Sequence, residues 1–139
     1  MVFPPFTEKA SSIPAFRSWL IKTLRQAAWA PLAILVFHYI IRHTPYRQDM
    51  DNPIHFLGGA AIAFFLLRAI ILASLVIGSL RPLFSYCFAF TSACSVAVFW
   101  EIAEFASDQI RKTHVQSSLY ETMLDLIFGV IGAAIAMSI

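Results

Sequence analysis

What this chain lacks narrows the field first. Charge is scarce: 13% of its 139 residues are Asp, Glu, Lys or Arg, against about 25% in a soluble domain. That excludes an ordinary water-soluble globule. The formal net charge is only +2, and no basic run interleaves with aromatics, so nucleic acid is not expected as a partner. The two cysteines, Cys87 and Cys94, lie seven apart on one helical face. They cannot readily bond to each other, and they offer no disulfide framework. There is no His-Glu-x-x-His, no serine elbow and no pair of arginines placed to grip a phosphate. The start, MVFPPFTEKASSIP, has no basic segment leading directly into an apolar one, so no cleaved signal peptide is expected. Lipidation motifs, internal repeats and low-complexity tracts are missing as well.

What is present is long apolar sequence. Hydrophobic residues make up 59% of the chain, and four apolar stretches read as long enough to span a bilayer, each needing about 20 residues. The expected fold is all-α: an integral membrane bundle of four transmembrane helices preceded by a short amphipathic interfacial helix. Residues 1–26 would be the N-terminal arm and amphipathic helix, and residues 27–139 the bundle.

In the first part, 1–11 reads as an extended Pro-rich arm. In 12–26, Ile13, Phe16, Leu20 and Leu24 share one face, with Arg17, Lys22 and Arg25 away from it. Ser12 fits an N-cap and Pro14 the first turn, and the segment suits a headgroup layer. The first span covers about 27–41, where Pro31 is either a kink or the true start. The second opens at Asn52-Pro53 and runs to about 80. Arg68 interrupts it, so this helix is tilted, or ends near Arg68 and continues along the interface. Arg68 itself either snorkels or pairs with a buried carboxylate. The third span covers about 81–108, and the fourth 118–139, opened by Ser118 and Glu121 as a capping box. Lys9, Arg17, Lys22, Arg25 and Arg81 fall on one side of the membrane, and Arg42, Arg47, Arg111 and Lys112 on the other. The tight N-terminal cluster places both termini in the cytoplasm.

Four alternating spans bring three polar helix ends to one membrane face. Asp51 and His55 are spaced i, i+4; Glu101, Glu104 and Asp108 i, i+3, i+7; Glu121 and Asp125 i, i+4. Each set lies on a single helix face. A carboxylate at bilayer depth costs roughly 2.5–3.5 kcal/mol, so it persists only where it is paired, wet or useful. Glu101 lies about 10 Å deeper along its helix than Asp108, and Asp125 a turn below its helix start. The candidate polar cluster is therefore His55, Glu101, Glu104, Asp108, Glu121 and Asp125, with Asp51 joining them. His55, Glu101, Glu104 and Asp125 are the candidate metal ligands, and oxygen donors with one imidazole suit a divalent Mg, Mn, Ca or Fe ion.

Plainer readings stand beside these. Glu121 caps its helix, Asp108 is a solvated helix end, Asp51 is a loop charge, and Glu101 and Asp125 belong to structural ion pairs. His38 and Trp100 read as packing residues and His114 as a loop histidine. Gly58, Gly59, Gly129 and Gly132, continued by Ala133 and Ala136, form small-residue stripes that let helices approach closely.

At these residues the chain resembles the VanZ-like and YjdF-like small polytopic membrane proteins. The shared pattern is Asp51…His55-Phe56…Gly58, then Trp100-Glu101-x-x-Glu104, then Glu121-Thr122-x-x-Asp125…Gly129…Gly132-Ala133, over about 51–133. YjdF-like proteins commonly have more spans and a longer, glycine-containing loop before the final Asp. Here that loop is short, and the N-terminal helix lies outside the pattern. The resemblance implies a bacterial inner-membrane protein. It also implies, from the VanZ-like side, an association with low-level resistance to glycopeptides of the teicoplanin kind, but no agreed reaction.

Two functions follow. The favoured one is non-enzymatic: a binding, structural or accessory subunit of a larger membrane complex, in contact with the lipid bilayer and other membrane subunits. An aromatic load of 14% suits such packing. The alternative is a cell-envelope lipid-modifying enzyme, a metal- or carboxylate-assisted hydrolase or transferase in which two carboxylates and a histidine activate water.

Overall fold

The structure, a computed structural model, describes residues 13–116 and 118–138. The expected arm over 1–11 and the Ser12 cap lie outside them. The described residues form five helices: α1 (Ile13–Ala27), α2 (Trp29–Ile41), α3 (Asp51–Ile77), α4 (Pro82–Arg111) and α5 (Leu119–Ser138).

The helix ends follow local chemistry. Pro31 has no N–H to give the Ala27 carbonyl, so the helical ladder breaks at Ala28 and the α1–α2 pair bends by 52°. Pro31 thus acts as a breaker a few residues upstream of itself. Turns over 43–50 lead into α3 one residue earlier than Asn52-Pro53 suggests, with Met50 as N-cap and Asp51 in the first turn. Pro53 sits where a missing N–H is harmless, and the Asp51 carboxylate suits the positive helix end. Gly78, at φ +103°, ends α3 in a backbone region that disfavours other residues. Arg81 is held extended by Pro82, which begins α4. The Ser118 hydroxyl accepts a hydrogen bond from the Glu121 N–H at 3.2 Å, half of the anticipated capping box.

The bundle is turned inside out relative to a soluble protein. Its buried centre is small-residue: Ala63, Ala93 and Ala133 pack together, with Ile62, Leu66 and Phe90 against them. Large apolar side chains such as Leu75, Leu83, Ile110 and Leu119 lie on the outside, while Glu101, Asp108 and Asp125 are buried. Water would penalise that surface heavily and lipid would not. Three helices, α3, α4 and α5, are individually long and apolar enough to cross a bilayer, and the bent α1–α2 pair makes a fourth when counted as one span. The 13 residues of α2 cover about 20 Å, short of the roughly 30 Å hydrocarbon layer, so α2 completes a crossing only with part of α1.

α3 is the hub. It packs against each of the other helices, most closely against α5, whereas no α2 Cα comes within 8 Å of an α4 Cα among the described residues. α1 grips the far half of α3: the Trp19 indole N–H donates to the Ala69 carbonyl at 2.8 Å, and Arg68 Nη2 donates to Gln26 Oε1 at 2.6 Å. Arg68 lies about 25 Å along the helix from Asp51, towards the opposite membrane face, and its partner is an amide, not a buried carboxylate.

The α3–α5 seam sets the site. A methyl group on Gly59 would collide with the Gly129 carbonyl, and one on Gly132 with the Phe56 carbonyl. Backbone therefore meets backbone here, one turn from His55 on α3 and from Asp125 on α5. That close approach draws the two side chains together.

Candidate functional site

His55 stands at the centre, with its side chain only 10% exposed. Its Nδ1 faces Glu101 Oε1 at 3.5 Å, and its Nε2 faces Asp51 Oδ1 at 3.7 Å and Asp125 Oδ1 at 3.8 Å. These separations are too long for good direct hydrogen bonds. Ligating atoms of Asp51, His55 and Asp125 lie within 4.8 Å of one another, as do those of His55, Glu101 and Glu104. The four residues anticipated as a single metal set are thus divided between two overlapping triads that share His55. Asp125 groups with Asp51 on the Nε2 side, and Glu101 with Glu104 on the other.

Glu101 is the most deeply placed member, its side chain 6% exposed. One oxygen, Oε2, accepts from the Gln116 amide at 3.0 Å, and the same amide nitrogen donates to the Glu101 carbonyl at 2.9 Å. The other oxygen, Oε1, is buried with no hydrogen-bond partner among the described residues. A buried carboxylate oxygen left in this state is costly, and this one points at His55. Glu104 is half-buried and accepts from the Trp100 indole N–H at 2.9 Å. Asp51 forms the open side of the cluster, its side chain 41% exposed.

Asp108 and Glu121 lie outside both triads. Asp108 is neither a cluster member nor a free helix end. Its Oδ1 accepts from the Thr113 hydroxyl at 2.6 Å and the Val115 N–H at 2.9 Å, and its Oδ2 from the Gln116 N–H at 3.0 Å. It folds the α4–α5 connection back onto α4 and aims Gln116 at Glu101. Removing it in Asp108→Ala is expected to speed amide hydrogen exchange at Val115 and Gln116, while leaving exchange within α3 unchanged; equal protection in both variants would contradict that role. Glu121 is exposed and contributes its backbone N–H to Ser118. His38 stacks edge-on against Trp100, ring centroids 5.5 Å apart, bridging α2 to α4.

Sequence spacing does not foresee Gln116 or the arginines. Gln116 lies fifteen residues from Glu101, across a helix end and a turn, where no periodicity applies. Arg42, Arg47 and Arg111 come from three different segments, yet all line one groove of about 590 Å³ beside Glu104 and Asp51. Their shared groove is a product of tertiary packing that local sequence does not reveal.

Chemically, the arrangement can hold a cation or relay a proton. Neutral imidazole has one lone pair and one N–H. With Nε2 as a ligand, the proton sits on Nδ1, facing the unpartnered Glu101 oxygen, and the carboxylate would then fix the ring and raise its basicity.

An apolar exterior around a carboxylate–imidazole interior defines a polytopic helical membrane protein. Within that class the chain belongs to the family described as predicted membrane protein (DUF2238), whose family model matches residues 14–139. No curated protein and no solved structure matches it.

Proposed function

We propose that this membrane protein binds a divalent cation at one bilayer face, through His55 Nε2 and the carboxylates of Asp51 and Asp125, with Glu101 orienting the imidazole. The single observation carrying this reading is the buried Glu101 Oε1, which has no partner among the described residues and faces His55 Nδ1. Donors around a hard cation sit about 3–3.5 Å apart; the 3.7 and 3.8 Å separations from Nε2 are a few tenths of an ångström wider, and the Asp51 and Asp125 oxygens lie within 4.8 Å of each other. Mg, Mn, Ca and Fe(II) suit this donor set better than copper. With both termini in the cytoplasm, as the lysine and arginine distribution favours, the site faces outward; the VanZ-like and YjdF-like resemblance implies that the membrane is a bacterial inner membrane.

The test is metal analysis of detergent-purified protein. Near-stoichiometric divalent metal is expected in the wild type and none in His55→Ala. A metal-free wild type whose stability ignores both added cations and chelator would overturn the reading.

The role is non-enzymatic in this reading: a binding or accessory subunit whose apolar outer faces meet lipid and neighbouring helices. Purification in mild detergent tests the accessory part; a chain that migrates alone argues against it. The lipid-enzyme alternative draws on one observation, the groove that opens beside Glu104. Turnover of an envelope lipid that disappears in Glu104→Gln would favour it.

A further inference from the structure

Two adjoining chambers lie between α2 and α4 over α3, with the His38–Trp100 ring pair lining both. The upper chamber, about 590 Å³, holds Arg42, Arg47 and Arg111 at the level of the polar helix ends. The lower chamber, about 290 Å³, runs down the bundle between Ile34, Ile62, Val96 and Ala97. His38, Trp100, Leu35 and Ile54 belong to both chambers. These volumes lie in the range of small-molecule sites.

Positive charge is in excess in the upper chamber. Among the described residues its wall carries three arginines against two carboxylates, Asp51 and Glu104, and Glu104 accepts from the Trp100 indole. Among the described residues, no arginine lies within 4.0 Å of a carboxylate oxygen. Arg47 reaches the Val115 carbonyl at 3.3 Å, which steadies the side chain without neutralising it. Guanidinium groups that have no carboxylate in ion-pair contact can take phosphate oxygens, often in bidentate pairs. Apolar walls descending directly below them match a hydrocarbon chain. A soluble anion would use only the upper half of this feature, and a plain hydrocarbon only the lower half.

We propose that the α2–α4 crevice binds a phosphate-bearing membrane lipid, with its phosphate among Arg42, Arg47 and Arg111 and an acyl chain in the lower chamber. The lipid enters sideways past the His38–Trp100 ring pair, since no α2 Cα comes within 8 Å of an α4 Cα among the described residues. The site shares Asp51 and Glu104 with the cation cluster in its upper chamber and His55 in its lower one, but it does not rest on a bound cation, since none of the three arginines belongs to either triad.

Trp100 lines both chambers and serves as the reporter. Phosphatidylglycerol with brominated acyl chains is titrated into the protein in non-ionic detergent. Chelator is present throughout, so a failed cation reading leaves the result intact. The Trp100 signal is the difference between wild type and Trp100→Phe. Saturable quenching is expected. The triple variant R42Q/R47Q/R111Q should weaken it about tenfold or more. These side chains are exposed, so the variant should fold, as checked by its elution and thermal melt. Val96→Phe, which fills the lower chamber, should also weaken quenching while leaving the arginines in place. Undiminished quenching in the triple variant overturns the proposal, as does equal quenching by brominated diacylglycerol, which lacks the phosphate. Stabilisation by inorganic phosphate with no quenching by the lipid would make this a free-anion site and overturn it too.

Discussion

Gly59→Ala and Gly132→Ala are expected to be the most damaging single-methyl changes in the chain, each destabilising by about 3 kcal/mol or more. Overpacking a core usually costs about 1–3 kcal/mol because side chains rearrange around the intruder. Here the obstacle is backbone: the new methyl group would meet the Gly129 carbonyl in one case and the Phe56 carbonyl in the other. No rotamer change relieves that, so α3 and α5 must separate. Gly58→Ala is the control. Its nearest foreign atom would be Ile34 Cγ2 at 3.9 Å, an ordinary contact, and alanine favours a helix interior by roughly 1 kcal/mol. Gly129→Ala should fall between them, with Ala97 Cβ at 3.5 Å as its tightest neighbour. Thermal melts in detergent give the ranking. Equal losses at Gly58 and Gly59 would mean that α3 and α5 do not cross this closely. Separation of these helices would also pull Asp125 from His55, so metal content should fall with stability at Gly59 and Gly132 and stay level at Gly58.

Cation-dependent stability is the second large effect. A ligand that binds only the folded state stabilises by about 2.7 kcal/mol at a hundredfold excess over its Kd. Detergent-purified wild type should therefore melt at a higher temperature with excess Mn or Ca than with chelator. Asp125→Asn and His55→Ala should lose that difference. In Glu101→Gln the difference should shrink without vanishing, since Glu101 holds the ring and is not placed among the cation's own ligands. A full cation response in His55→Ala would eliminate the site as drawn. Identical losses in Glu101→Gln and Asp125→Asn would move the ion to the Glu101–Glu104 side of the imidazole.

Much of this architecture is legible in residue patterning. Pro82 starts α4, Ser118 precedes α5, and the acidic spacings put Glu101 and Asp125 on inward faces, because short-range capping and helical period act within one element. Patterning is weaker where one segment's fate depends on another. α2 reads as a complete span until its break at Ala28 leaves it too short. Asp108 carries the same helical phase as Glu101 and Glu104, but three donors from the following turn take it away from the cluster. Glu121 has the same spacing from Asp125 that Asp51 has from His55 and stays on the surface. The arginines of the groove have no common motif because they meet only after α2, the turn beyond it and α4 have taken their places around α3.

Both halves of the glycine seam, and the Asp125 side of the imidazole, depend on a helix made late. α5 follows α3 and α4 along the chain, so a ribosome-bound intermediate holding only the earlier segments has His55 and Glu101 in the bilayer without Asp125 or the Gly129 and Gly132 contacts. An intermediate in that state leaves its polar groups and its open seam uncovered, and arrival of α5 ends that exposure. Variants that weaken the seam should therefore be depleted in living cells more severely than their equilibrium melts alone would suggest.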